Sequence, residues 1–199
     1  DQESKMITIK PGSWILNKTL ITPPGYTLKA PAGLNLNLSG KGMILARGPL
    51  QFIGSSNDLI NISSQGSGNG LVVLNANEES TFKNVVFKNL GAPREKGWGL
   101  TGAITFYKSP VNITRCSFIE NNSEDSINIL NSDFRIDNSD FSTSKSDALD
   151  VDFGSGVISN VIFKNIGNDA IDISGSNVFL NNIKVDGAGD KAISVGEKS

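Results

Sequence analysis

The hydrophobic positions in the second half of the chain line up at a fixed interval of 22 residues. Ile127, Leu149, Ile171 and Ile193 form one such column, and Ile129, Val151, Ile173 and Val195 form another. Ile136, Ile158 and Leu180 keep the same step, as do Phe141, Phe163 and Val185. One extra residue places Ile104, Ile113, Cys116 and Phe118 in the preceding turn of the pattern. Columns that advance together predict a chain wound into a stack, each turn covering the last.

Within a turn the apolar residues alternate with polar ones, as in Leu149-Asp150-Val151 and Ile171-Asp172-Ile173. A period of two predicts strands with one buried face. Each repeat holds three such runs, for example 148–152, 157–159 and 161–163. None is long enough for a helix, and Gly, Asn, Asp and Ser fill the spaces between them, as turns require. Three short strands in a coil of about 22 residues predict an all-β parallel solenoid. Neighbouring coils then lie ~4.8 Å apart, with like residues stacked on like.

The first half is less regular but compatible. Phe82, Val85 and Phe87 match Ile113, Cys116 and Phe118 at a step of 31, and the excess falls in the Gly-rich segment 88–102, which carries Pro93 and predicts a loop. Upstream, Leu36/Leu38, Leu50/Phe52, Ile60/Ile62 and Leu71/Val73 predict strands of earlier coils. Pro23-Pro24-Gly25 predicts a turn, and residues 7–20 begin or cap the first coil. No linker interrupts the pattern, so the expectation is one domain, 1–199, of about seven coils.

Asn138, Asn160 and Asn182 also step by 22, between the second and third strands of each coil. With the coil period, this column resembles the asparagine ladder of the right-handed parallel β-helix in the pectate-lyase-like superfamily, over at least residues 103–199. The catalytic part of the resemblance is missing. The chain has no histidine, so the Gly-His-Gly and Trp-Ile-Asp-His segments of polygalacturonase-like and pectate lyase members are not there. Its absence also removes Ser-His and Cys-His nucleophiles and every His-containing metal site.

The remaining candidate chemistry is acidic. On the first strand of each coil an outward column reads Asn128, Asp150, Asp172, Ser194, and a column at the preceding turn reads Asp125, Asp147, Asp169, Lys191. Ser126, Ala148, Ala170 and Ala192 lie between them and predict a shallow floor. Asp147, Asp150, Asp152, Asp169 and Asp172 therefore converge on one face of two adjacent coils. Two carboxylates ~5 Å apart repel by roughly 3 kcal/mol at an effective dielectric near 20. A shared proton, a nearby Lys145, Lys164 or Lys191, or a bound Ca²⁺ would relieve that repulsion. The resemblance implies the third remedy, because in that family the equivalent face is where Ca²⁺ and an acidic sugar meet. By that analogy the five aspartates would be metal ligands, or Asp150 and Asp172 an acid/base pair, with Lys191 as a candidate proton acceptor. The structural alternative is that these aspartates bond turn amides and keep a flat face soluble, a role for which Asp147 and Asp169, just before a strand, are best placed.

The 88–102 insertion leaves after a third strand and returns at a first, which predicts that it borders the acidic face. Trp98, flanked by glycines, is a candidate platform for a sugar ring, with Arg94 and Lys96 suited to a uronate. The alternative is that Trp98 folds back as a hydrophobic cover. Trp14 is expected to cap the first coil.

Composition narrows the partners. A net charge of −2 argues against nucleic acid, which calls for a basic stripe. No run approaches the ~20 apolar residues of a membrane span. Cys116 falls in an apolar column and is expected to be a buried hydrophobe. Five Asn-x-Ser/Thr triplets, at Asn17, Asn37, Asn61, Asn112 and Asn121, are explained by the abundance of Asn and Ser. No signal peptide is present, so a secreted protein would be a mature or trimmed form. The chain stops at Ser199 in mid-coil, which implies a longer chain, or an edge covered by a flanking domain or capping partner. Segment 189–197 is similar to one in bacterial surface β-helix regions beside spore-coat-kinase-like domains. The expectation is thus a bacterial, secreted or cell-surface domain that meets an acidic polysaccharide or surface glycan through its Asp-rich face, with Ca²⁺ as a possible cofactor. A polysaccharide lyase or hydrolase using the same cluster, and a purely structural repeat module, are the alternatives.

Overall fold

A computed structural model describes residues 3–65, 69–196 and 199, so Glu197 at the end of the 189–197 segment lies outside the described residues. Each turn of the chain lays short strands on three faces of one stack. The first face is an eight-stranded sheet: Thr19–Ile21, Met43–Ala46, Leu71–Leu74, Gly102–Tyr107, Asp125–Leu130, Asp147–Asp152, Ile171–Ser174 and Ile193–Val195. The second and third faces join into one 14-stranded sheet, because Ser155–Ile166 and Asn177–Ala188 each run across both. There are eight turns rather than seven, since Met6–Thr8, Gly12–Leu16 and Thr19–Ile21 form a complete first coil.

The register is the one the apolar columns predict. Ile127, Leu149, Ile171 and Ile193 pair in sequence, and Phe118 lies over Phe141 and Phe163. Phe87, Phe118, Phe141 and Phe163 form a stack inside the coil, with ring centroids 5.2, 4.5 and 4.9 Å apart. Parallel pairing puts identical side chains above one another, so an aromatic column gains offset stacking in addition to burial. The step of 31 across the insertion also holds, with Phe82 over Ile113 and Phe87 over Phe118. Cys116 is buried, and burial pushes its thiol up to about 12, as befits a small hydrophobe. Trp14 lies over Leu36 in the same inward column and remains half exposed at the end of the stack.

All three corners turn through a left-handed residue. Between the second and third faces these are Asn84, Arg115, Asn138, Asn160 and Asn182, with φ between 48° and 55°. Asn tolerates this conformation because its short amide bonds locally. The ladder is not an unbroken chain of amides. Asn182 Nδ2 donates to Asn160 Oδ1 at 2.8 Å, but Asn138 and Asn160 both donate to the Asp137 carboxylate, at 2.6 and 3.0 Å. What the column shares is its backbone. Asn138→Gly is therefore expected to leave stability within ~0.5 kcal/mol, while Asn138→Ala costs ~1 kcal/mol, as read by urea unfolding. Equal costs for the two variants would show that the side-chain bond matters more than φ.

Candidate acidic face

The first face carries the acidic site, and a local slip in alternation shapes it. Ala148 and Leu149 are both buried, as are Ala170 and Ile171, and Ser126 and Ile127. The small residues expected to floor the site thus turn into the core, while Ala192, in the last turn, is exposed. In the sixth strand these two inward residues leave Asp147 and Asp150 partly exposed on either side of them, whereas Asp125 and Asp169 at the same place as Asp147 are buried.

Asp150 sits over Asn128 and under Asp172. Asn128 Nδ2 donates to Asp150 Oδ2 at 2.7 Å. Burial pushes the Asp150 carboxyl up to about 8, and the negative charges of Asp125, Asp152 and Asp172 push it the same way. Asp152 is raised for the same first reason, with Asp172 contributing. Burial and the stacked negative charges thus both favour a proton on Asp150.

Asp125 is a member of the site that the sequence pattern did not single out. It is 3% exposed, and burial raises it to about 7 even though Thr101 bonds its side chain. Its Oδ2 has no hydrogen-bond partner among the described residues. A buried carboxylate oxygen without a donor is costly, so the neutral form is favoured. The available signal was its place in the Asp125, Asp147, Asp169 column.

The other two members of that column have structural duties. Asp147 Oδ1 accepts from the Asp169 amide at 2.8 Å and from Asn168 Nδ2 at 2.7 Å. Asp169 Oδ1 accepts from the Lys191 amide at 2.8 Å. Each carboxylate so caps the backbone of the coil that follows. Lys191 Nζ pairs with Asp190 and lies 4.0 Å from Asp169. The bond to Asp190 first, then the charge of Asp169, hold its ammonium above the ordinary lysine range, which keeps it a cation and leaves it less available as a proton acceptor. Among the described residues, no group of three or more acidic or Cys side chains is arranged to hold a metal ion.

The insertion forms a small antiparallel hairpin, Arg94–Glu95 with Trp98–Gly99. Its return does meet the acidic face, through Thr101 and Asp125. Its tip goes elsewhere. The Arg94 amide donates to Asn69 Oδ1 at 3.2 Å, and Arg94, Glu95 and Lys96 border a recess of about 220 Å³ with Thr19 and Lys41. Lys41 precedes the second strand of the first face and Asp150 lies in the sixth, a separation of four rungs or ~19 Å. Trp98 is 39% exposed on the same hairpin. The structure therefore brings Asp125, Asp150, Asp152 and Asp172 together, and sets Arg94 and Lys96 beside Lys41 instead.

No helix among the described residues is long and apolar enough to cross a membrane. The chain has no significant match to any protein-family model, curated protein or solved structure.

Proposed function

We propose that this solenoid is a bacterial, extracytoplasmic carbohydrate-binding module of pectate-lyase-like ancestry that uses its first face, around Asp150, as the glycan surface. One arrangement carries this reading: Asp150 stands between Asn128 and Asp172 on an outward strand face, and burial pushes its carboxyl up to about 8. Carboxyls stacked at strand spacing, with one favoured in its protonated form, offer a donor and acceptors close together, which is what the hydroxyls of a sugar ring require. A uronate would add negative charge, so an acidic polysaccharide calls for a neutraliser, either Lys191 or added Ca²⁺.

The same arrangement favours one second reading. A carboxyl held toward its protonated form by burial, with other acidic groups stacked beside it, is the kind of acid that glycoside hydrolysis or uronate elimination needs. Both readings meet in one experiment. The protein is titrated into neutral and uronate polysaccharides, with and without Ca²⁺, and the mixtures are assayed for unsaturated products and reducing ends. Binding without products is the expected outcome, weakened at least tenfold in Asp150→Asn/Asp172→Asn. Products formed by the wild type and not by the double variant would establish the enzyme. No binding to any polysaccharide would discard the glycan surface.

A further inference from the structure

Phe153 stands where the rest of its column is polar or glycine. The corner from the first face to the second places Asn75, Lys108, Asn131, Phe153 and Gly175 at equivalent positions, with φ of 52°, 48°, 49°, 52° and 60°. A left-handed backbone suits Asn and Gly and strains a bulky aromatic residue. Burial does not compensate, because Phe153 is 67% exposed. A side chain that is both strained and in water points to a role outside the fold.

Its surroundings indicate what that role is. A Cβ on Gly175 would lie 2.7 Å from Phe153 Cδ1, so the ring rests against bare backbone and has a defined seat. Beside the ring runs an open groove of about 410 Å³, bordered by Phe153, Lys108, Asn131, Asp133 and Ser155. That size falls within the range of small-ligand sites, which pair apolar walls with a few polar groups. Asp152 immediately precedes Phe153, so the groove begins where the outward aspartates end.

We infer that Phe153 is the stacking platform for a pyranose ring of the bound glycan. The apolar C–H face of the sugar lies on the phenyl ring, and its hydroxyls reach Asn131, Asp133 and Ser155. Adjoining sugar units then cross the corner onto Asp152 and Asp150. An aromatic face with polar groups at its rim suits a sugar, which is itself apolar on one side and hydrogen-bonding at its edge. This assignment rests on the carbohydrate reading and names Phe153, at the corner beside the acidic face, as a platform in place of Trp98.

The test compares Phe153→Gly, Phe153→Trp and Asp150→Asn/Asp172→Asn in affinity electrophoresis against the polysaccharide panel, with melting temperatures recorded in parallel. Phe153→Gly is expected to lose at least tenfold in affinity while its melting temperature stays level or rises, because strain is removed. Phe153→Trp is expected to bind within threefold of wild type, and its added indole fluorescence to change on binding when wild-type emission does not. If the double Asp variant loses binding while Phe153→Gly binds like wild type, the platform is wrong and the acidic face stands. If the wild type binds no polysaccharide, both fall. A drop of several degrees in Phe153→Gly with unchanged binding would assign the ring to the fold and also overturn the inference.

Discussion

Phe141→Ala is expected to lower the free energy of unfolding by ~3–5 kcal/mol in urea titrations. Phe141 is fully buried and is stacked on Phe118 above and Phe163 below, at 4.5 and 4.9 Å. Truncation removes the transfer energy of the ring, leaves a cavity, and deletes two aromatic contacts. The cavity has little room to close. The strand that carries Phe141 is hydrogen-bonded to the neighbouring coils on both sides, so its position is held by their register. Phe141→Leu, which keeps most of the volume, is expected to cost less than ~1.5 kcal/mol. A cost under ~1 kcal/mol for the alanine variant would mean that the column is not a packed core. Because each coil touches only its neighbours, the defect weakens the contact between adjacent coils, and a broadened or two-step transition in Phe141→Ala is a further expected sign.

The second large effect concerns pH. Asp150 rises from 3.8 to about 8 on folding, chiefly through burial. A carboxyl whose folded value lies above its unfolded value favours the folded state fully below pH ~4, where both states hold the proton. That contribution is lost as pH climbs through about 8, because the unfolded chain releases its proton first. A tenfold change in proton affinity between the two states corresponds to about 1.4 kcal/mol for a group out of solvent, and Asp150 is only partly so. Asp150→Asn is therefore expected to match wild type at pH 4 and to exceed it by on the order of 2–3 kcal/mol at pH 8.5, about 5–10 °C in melting temperature. Asn keeps an acceptor for Asn128. Asp125, raised to about 7, adds a contribution of the same sign that remains in the variant. A difference between variant and wild type that does not change with pH would contradict the proton on Asp150.

Much of this architecture was written in single side chains. In a parallel stack each residue lies on its own counterpart, so a period in the sequence is a distance in space, and Ile127 to Ile193 could be counted onto one line. The first half was harder because the step varies: Ile44 pairs with Leu71 and Leu71 with Ile104, intervals of 27 and 33 residues. Insertions at corners leave the strands in place and destroy the count. The acidic columns were legible for the same reason as the apolar ones. Their division of labour was not, because it depends on which oxygen meets which amide. Asp147 and Asp169 cap backbone, whereas Asp125 keeps an oxygen with no partner among the described residues. The slip that buries both Ala148 and Leu149 has no periodic signature, so the expected floor became core. The insertion's return to the acidic face was legible, through Thr101 and Asp125, but the lean of its tip was not, because sequence fixes where a loop leaves and returns and nothing between. Phe153 did carry a signal: it is an aromatic residue in a column that otherwise reads Asn, Lys, Asn and Gly.

A proton retained by Asp150, on the face proposed to meet glycan, is the point on which the functional reading turns. Carboxyl ¹³C chemical shifts followed against pH, in wild type and Asp172→Asn, measure it directly. The expected result is a midpoint near 8 for Asp150 in wild type, a lower one in Asp172→Asn, and a displaced curve once a binding polysaccharide is present. An Asp150 signal that titrates near its ordinary value of 3.8, indifferent both to Asp172 and to added glycan, would contradict it.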